Sequence, residues 1–287
     1  MEIAIISGKG GTGKSSVSAA FTTLSQRVVL ADCDVDAANM PILFHPDCDA
    51  EMKFEGSEKA VIDSSVCSNC GLCVTFCRFD AILVETGKTT ISVLSCDGCE
   101  LCSRICRHGA ITMIHNDQSR MFTGTFRNGK MVYGFLAPGE ENSGKLVCLV
   151  REKAREMAQQ ENIDHIIIDG PPGISCPVIS SITGADQVII VTEPSISGAL
   201  DLTRAVDITR KFNLKTWVLI NKYDLNSEMA RQIEKYCQSA GIRIIGKLLF
   251  DPAVVEAMVH CKSVVEWAPD SDITRELQNA FHIVFEK

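Results

Sequence analysis

Apolar residues fall into short continuous runs that alternate with longer amphipathic stretches. Six runs are almost entirely hydrophobic: residues 3–7, 27–32, 165–169, 187–192, 216–221 and 243–248. Continuous apolar strands are expected in a parallel sheet that is covered on both faces. Stretches between them, such as 146–160 and 227–240, have the length and spacing of helices. This alternation predicts an α/β fold with a doubly wound, mostly parallel sheet.

The alternation is interrupted between residues 61 and 115, where cysteine, glycine and serine are frequent. The segment contains one pattern twice, 29 residues apart, beginning at Cys67 and again at Cys96. Two related halves predict a compact, pseudo-symmetric module. We therefore expect a discontinuous α/β domain at 1–60 and 116–287, with a small α+β domain inserted at 61–115. A hairpin over 121–136, turning at Asn128-Gly129, is expected to follow the insertion.

Cysteine content is the feature of the composition that changes this picture. The 287 residues are 46% hydrophobic and 22% charged, as in globular proteins. A net charge of −8 and an aromatic content of 6% disfavour a nucleic-acid binder. Neither a leader peptide nor an apolar run of about 20 residues is present, so a cytoplasmic location without stable membrane insertion is expected. Fourteen cysteines in such a chain indicate metal or redox chemistry rather than disulfides.

A glycine-rich segment, Gly8-Lys-Gly-Gly-Thr-Gly-Lys-Ser15, separates the first strand from the first helix. It has P-loop spacing, in which glycines let backbone N–H groups turn toward phosphate oxygens at a helix N-terminus. Lys14 is expected to reach the β- and γ-phosphates, and the Ser15 hydroxyl to hold Mg²⁺. The predicted loop contacts to ATP or ADP are Gly8, Lys9, Gly10, Gly11, Thr12, Gly13, Lys14, Ser15 and Ser16.

The second lysine of the loop, Lys9, makes it resemble the deviant Walker A motif of the MinD/ParA/nitrogenase-iron-protein class of P-loop ATPases. This resemblance implies an ATP-dependent homodimer in which Lys9 reaches the nucleotide of the partner subunit. The strand that ends in Asp169 resembles a Walker B segment, which implies that Asp169 holds the Mg²⁺ shell through water. Asn221 resembles the position at which the family reads adenine.

Three acids at the end of the second strand, Asp32, Asp34 and Asp36, lie where ligands bind in such sheets. By its position Asp34 resembles the residue that orients the attacking water in this class. The predicted catalytic residues are therefore Lys9, Lys14 and Asp34. The roles of Asp32 and Asp36 stay open, because three acids in five residues leave the register undecided.

The repeated spacing Cys-x2-Cys-x2-Cys-x3-Cys is that of bacterial two-cluster ferredoxins, in which the fourth cysteine of each run ligates the other cluster. A run of four favours iron–sulfur over zinc, whose sites combine pairs from two hairpins. Arg78 and Arg107 stand where proline usually follows the fourth cysteine. The predicted ligands are Cys67, Cys70, Cys73 and Cys106 for one [4Fe–4S] cluster, and Cys77, Cys96, Cys99 and Cys102 for the other.

In combination, these motifs resemble the MinD-superfamily ATPases that carry an inserted two-cluster ferredoxin domain. The resemblance implies a Mg²⁺-dependent ATPase, slow without its partner, that couples the nucleotide state of a homodimer to electron transfer to a redox partner protein. A carrier or scaffold for clusters in metallocofactor assembly is the alternative. A positioning ATPase of the MinD or ParA kind is a third reading, disfavoured by the pI of 5.3.

Two further features are singled out by the same resemblance. Cys176, seven residues after Asp169, is similar to a cysteine of the nitrogenase iron protein that holds a cluster between subunits. A third metal site at Cys176, with Cys148 as a second ligand, is therefore a hypothesis. The segment 140–146 also resembles the family, without an evident physical role.

Overall fold

A computed structural model of the chain describes residues 1–140 and 143–285. The chain divides into a larger unit, Met1–Glu51 with Phe122–Gly134 and Gly144–Lys287, and a smaller unit, Met52–Met121 with Phe135–Ser143. The smaller unit is wider than the expected insertion at 61–115, since it begins at Met52, continues to Met121 and includes the separate segment Phe135–Ser143. Of the segment 140–146, residues 141 and 142 lie outside the described part.

The strands are, in chain order, β1 (Glu2–Ser7), β2 (Val28–Asp32), β3 (Asp47–Lys53), β4 (Glu58–Ile62), β5 (Ile82–Glu85), β6 (Lys88–Ile91), β7 (Ile111–His115), β8 (Arg120–Phe126), β9 (Gly129–Phe135), β10 (Ile166–Pro172), β11 (Gln187–Thr192), β12 (Lys215–Ile220) and β13 (Arg243–Lys247). The helices are α1 (Lys14–Leu24), α2 (Met40–Phe44), α3 (Leu72–Phe76), α4 (Leu101–Ile105), α5 (Ser143–Gln160), α6 (Cys176–Ile182), α7 (Ile196–Lys211), α8 (Ser227–Ala240), α9 (Pro252–Val259), α10 (Val264–Trp267) and α11 (Asp272–Phe285). A 3₁₀ turn covers Tyr223–Leu225.

The larger unit is built on a nine-stranded sheet with the order β13-β12-β11-β1-β10-β2-β9-β8-β3. The pairs from β13 through to β9 are parallel. Every residue of β1, β2 and β11 is buried, as expected for strands that are covered on both faces. The α/β fold with a large, mostly parallel sheet is therefore confirmed. The strands β8 and β9 are neighbours joined at Arg127-Asn128, one residue before the expected turn.

The C-terminal helix α11 covers the apolar residues of the larger unit with one face. Its buried positions are Ile273, Leu277, Ala280 and Val284, which follow the spacing of an amphipathic helix. The neighbouring Phe281 meets Phe21 of α1 edge to face, with ring centroids 5.6 Å apart. Within the described residues, no helix combines the length and apolar character needed to cross a bilayer.

The smaller unit has two antiparallel pairs, β4 with β7 and β5 with β6. The repeat of the sequence is kept in the backbone, because α3 begins at Leu72 and α4 begins 29 residues later at Leu101. Its buried apolar side chains are few and mostly small; they include Phe54, Ala60, Ala81, Ile82, Ala110 and Ile111. A unit with so small a core usually needs disulfides or metal as additional cross-links.

Candidate functional site

The P-loop lies between β1 and α1 and packs closely against the end of β12. Gly13, the N-cap of α1, has a left-handed conformation with φ of 91°. A Cβ at this position would lie 2.2 Å from Nδ2 of Asn221, so glycine is required by both conformation and space. The Asn221 side chain donates to the carbonyl of Thr12 at 2.8 Å, and the Lys222 ammonium donates to the carbonyl of Gly11 at 2.9 Å. The two residues that follow β12 therefore hold the loop in place through its backbone carbonyl groups.

Lys14, Ser15 and Asp169 meet at the start of α1. The Lys14 ammonium lies 2.8 Å from Oδ2 of Asp169 and 3.9 Å from Oδ2 of Asp34. The Ser15 hydroxyl donates to Oδ2 of Asp169 at 2.9 Å, and the Ser18 hydroxyl donates to Oδ1 at 2.6 Å. A hydroxyl and a carboxylate at this position are the hard oxygen ligands that Mg²⁺ prefers. The residues present therefore fit a magnesium ion.

Ser18 is a site residue that sequence reasoning missed. It is fully buried, and its hydroxyl is the group that fixes the second carboxylate oxygen of Asp169. Its position one helical turn after Lys14 is a signal that could have identified it, because residues four apart share a helix face.

The three acids after β2 have different environments. Asp32 is fully buried and accepts the backbone N–H groups of Asp34 and Met40. Burial, assisted by the charge of Asp169, raises the pKa of Asp32 to about 8. Burial also raises the pKa of Asp34 to about 6, although Lys14 opposes it. Asp36 is exposed. Of the three, Asp34 is the one whose carboxylate faces the Lys14 ammonium from the loop.

Lys9 makes its contacts within its own chain. Its ammonium lies 2.7 Å from Oε1 of Glu193 and donates to the hydroxyls of Ser195 and Ser197, both at 3.0 Å. The other oxygen of Glu193 pairs with Lys222 at 3.2 Å. Burial opposes ionisation, but the hydrogen bonds from the two lysines outweigh it and lower the pKa of Glu193. Sequence reasoning missed Glu193, although it directly follows β11 at the ligand-binding edge of the sheet.

A pocket of about 180 Å³ opens beside the P-loop. Gly11, Gly13 and Ser16 form its phosphate side, and Asn221 with Lys222 form its floor. Another wall is formed by the segment after β13 and by α9, and it includes Phe250, Asp251, Val254 and Val255. Sequence reasoning did not single out either segment. A mixed apolar and polar pocket next to a phosphate loop has the character of a nucleoside site.

The eight cysteines of the repeat surround two separate cavities of the smaller unit. The first cavity is bordered by Cys67, Cys70, Cys73 and Cys106. The second is bordered by Cys77, Cys96, Cys99 and Cys102, and also touches Cys73. The fold therefore brings together the fourth cysteine of each run with the first three of the other.

The remaining walls of both cavities are largely apolar and repeat each other. Ala110 and Ile111 line the first cavity where Ala81 and Ile82 line the second. All eight cysteines are free thiols, and backbone N–H groups reach the sulfurs of Cys67 and Cys106 at 3.4 Å. Four thiols around each cavity are the donor set of a [4Fe–4S] cluster, so the residues fit that group.

No group of three or more histidine, cysteine or acidic side chains in the described residues is close enough to hold a single metal ion. The thiolates of a four-iron cluster bind different iron atoms, so they are spaced more widely than the ligands of one ion. Cys176 and Cys148, the residues of the hypothetical third site, are both exposed. Their role as ligands stays a hypothesis.

Comparison with known proteins identifies the family of the chain. A family model described as the CobQ/CobB/MinD/ParA nucleotide-binding domain matches residues 3–264. The chain belongs to this family. It is therefore a nucleotide-binding protein of the MinD/ParA ATPase type, and the P-loop pocket lies in the part of the chain that the family model covers.

Individual members of the family resemble the chain over most of its length. An uncharacterized protein of Methanocaldococcus jannaschii is 36% identical over 231 residues, covering 79% of this chain and 80% of that protein. The iron-sulfur cluster carrier protein of Aquifex aeolicus is 22% identical, covering 95% of this chain and 64% of that protein. The structure of Pyrococcus horikoshii MinD complexed with Mg-ADP has a TM-score of 0.60 at 18% identity, covering 99% of this chain and 96% of that one.

Proposed function

We propose that this MinD/ParA-type protein hydrolyses ATP and couples the nucleotide state of a homodimer to electron transfer to a partner protein through two [4Fe–4S] clusters. One observation carries the proposal. The chain that holds a P-loop also gathers eight free thiols into two sets of four, and each set borders its own cavity. Such a donor set has no use in a nucleotide switch alone.

Hydrolysis of a phosphoanhydride needs charge and positioning more than covalent chemistry. The Lys14 ammonium, 2.8 Å from the Asp169 carboxylate, exchanges this partner for phosphate oxygens when the nucleotide enters the loop. Ser15 is already hydrogen bonded to Asp169, so both are placed to hold Mg²⁺. Backbone N–H groups of the glycine loop complete the binding of the phosphates.

Asp34 is assigned the orientation of the attacking water. Its carboxylate is partly buried, 3.9 Å from the Lys14 ammonium, and therefore faces the phosphate end of the pocket. The pKa of Asp34, about 6, lies closer to neutral pH than that of an ordinary carboxyl group. Its carboxylate is therefore a better acceptor of a proton from water.

In the smaller unit the chain supplies four thiolates to each cavity and surrounds them with largely apolar side chains. A bound [4Fe–4S] cluster supplies one-electron transfer. Burial raises the pKa of Cys73 and of Cys102, whereas the backbone N–H of Leu72 lowers the pKa of Cys70. Of these three thiols, Cys70 is therefore the one that ionises first during assembly.

The test is anaerobic purification followed by iron and sulfide analysis, and EPR of the reduced protein with and without Mg-ATP. We expect about eight iron atoms per chain, from two four-iron clusters, and a spectrum that changes with nucleotide. Lys14→Ala should retain the iron, but its EPR spectrum should no longer change with nucleotide. Cys99→Ser should lower the iron content, whereas Cys48→Ser, an exposed cysteine outside the repeat, should not. A protein that stays free of iron after reconstitution contradicts the proposal.

A cluster carrier is the second candidate, favoured by the similarity to the Aquifex aeolicus iron-sulfur cluster carrier protein. Incubation of the loaded protein with an apo-ferredoxin separates the two functions. Transfer of iron to the acceptor favours the carrier, whereas clusters that stay bound through repeated reduction and oxidation favour electron transfer. MinD-type positioning is supported by the family and the fold but by no contact of the described residues, and vesicle co-sedimentation with ATP tests it.

A further inference from the structure

A buried lysine distinguishes the two halves of the pseudo-symmetric unit. Lys59 lies on β4 and is only 2% exposed. Its ammonium donates to the backbone carbonyl of Cys96 at 2.6 Å and to that of Gly139 at 2.7 Å. Lysine is rarely buried without a carboxylate, because removing the charge from water is costly. A cation is therefore held against one cysteine of the second cavity.

In the part of the chain that the structure describes, no buried lysine lies at the first cavity, which His108 lines where Phe79 lines the second. With a repeat of 29 residues, the counterpart of Lys59 is Lys88 at the start of β6, and its side chain is exposed. The counterpart of Cys96 is Cys67, whose backbone N–H bonds to Asp63 just as that of Cys96 bonds to Ser92. Arg78 and Arg107 occupy equivalent places in the sequence of the two halves, and the charge of Arg107 acts on Cys70 of the first cavity. Lys59 breaks this symmetry.

Acidic groups near the second cavity are not hydrogen bonded to this ammonium. Asp97 and Glu100 border the cavity but reach water, where their field is screened. Glu100 is also paired with Arg104 at 2.7 Å. Glu140 is buried; its Oε1 accepts from the backbone N–H and the hydroxyl of Ser57, and its Oε2 has no hydrogen-bond partner. In the described residues, no carboxylate forms an ion pair with Lys59.

We propose that Lys59 is a positioning and tuning residue that selectively favours the reduced state of the cluster held by Cys77, Cys96, Cys99 and Cys102. Reduction adds one electron, supplied by an external one-electron donor, and a fixed cation nearby lowers the energy of the more negative state. Because the ammonium is buried beside the second cavity, water screens its charge little there. Its effect on the cluster of the first cavity should be smaller. The inference rests on the proposed function, since it requires that both clusters bind.

The experiment is an EPR-monitored redox titration of the anaerobically reconstituted full chain, fitted as two one-electron components. Lys59→Met should lower the midpoint potential of one component, so that its reduced-to-oxidised ratio at fixed potential falls about tenfold, which is about 59 mV. The other component should move much less. Lys88→Met, the matched control in the other half, should move neither, and Lys59→Arg, which keeps the charge, should leave both near wild type.

Iron content distinguishes a failure of the proposed function from a failure of the role assigned to Lys59. A wild-type chain without eight iron atoms contradicts the proposed function, whatever Lys59 does. Two loaded clusters with no shift in Lys59→Met, or with equal shifts of both components, overturn the role of Lys59. If Lys59→Met fails to load, Lys59→Gln gives the same test, because it removes the charge and keeps a donor for the two carbonyls. Full loading of that variant with unchanged potentials overturns the inference equally.

Discussion

The ion pair between Lys9 and Glu193 makes a measurable prediction about dimer formation. If Lys9 reaches the nucleotide of a partner subunit, it must first leave Glu193, Ser195 and Ser197. At 2.7 Å and an effective dielectric constant of about 20, the attraction between the two charges is about 6 kcal/mol. The two side chains are 27% and 19% exposed, so when the pair separates they regain hydration that offsets most of this attraction. The net contribution of the ion pair is therefore about 1–2 kcal/mol.

Replacing Glu193 by glutamine removes that charge and keeps the size of the side chain. Each subunit of the homodimer must release its Lys9, so two such pairs break per dimer. We therefore expect Glu193→Gln to tighten the ATP-dependent dimer by about 2–4 kcal/mol, about 30- to 900-fold in Kd. Sedimentation equilibrium with a non-hydrolysable ATP analogue measures this. In a Lys9→Ala background the gain should disappear, because no ion pair is left to break. Lys222→Met removes the second partner of Glu193 and shows whether that contact matters separately.

A dimer that is unchanged or weaker in Glu193→Gln would refute the reasoning, provided that the variant binds nucleotide normally. An equal gain with and without Lys9 would refute it as well, since the effect would then come from another contact of Glu193.

Three further predictions follow from buried contacts of the larger unit. Arg151, 4% exposed, binds Glu2 at 2.6 Å and the carbonyl groups of α6; Arg151→Met should cost about 3–5 kcal/mol in urea unfolding, and a loss below 1 kcal/mol would show that the pair is not needed. Because the pKa of Asp34 is raised to about 6, its carboxylate is charged above that pH; kcat/KM for ATP hydrolysis should therefore fall as the pH drops through 6, and Asp34→Asn should lack this limb. Ser18→Ala frees Oδ1 of Asp169 and should weaken Mg²⁺-dependent ATP binding about 10- to 100-fold in calorimetry, with binding in EDTA unchanged.

Local sequence patterns predict much of the fold and of the candidate site. The continuous apolar strands and the glycine loop at 8–15 predict the parallel sheet and the phosphate site, because both depend on residues close together in the chain. The helix over 227–240 and the strand over 187–192 agree with the structure residue for residue. The repeat of 29 residues likewise predicts two related halves, and α3 and α4 follow it.

Contacts between distant segments could not be read from such patterns. The partners of Lys9 are about 185 residues away, so the sequence predicts the lysine but not the acid that holds it. The inserted domain was predicted at 61–115, whereas the smaller unit of the structure spans Met52–Met121 and takes in a distant segment, Phe135–Ser143. The pocket wall at Phe250 belongs to a segment without any motif.

The sequence by itself determined which chemistry the chain can carry, since the spacing of glycines and cysteines fixes which backbone groups and thiols can converge locally. Only the tertiary structure decided which charges meet. Lys59 and Lys88 occupy equivalent places in the repeat, yet one is buried against a carbonyl and the other lies in water. Burial depends on packing across the whole unit, and burial decides how strongly a charge acts on its surroundings.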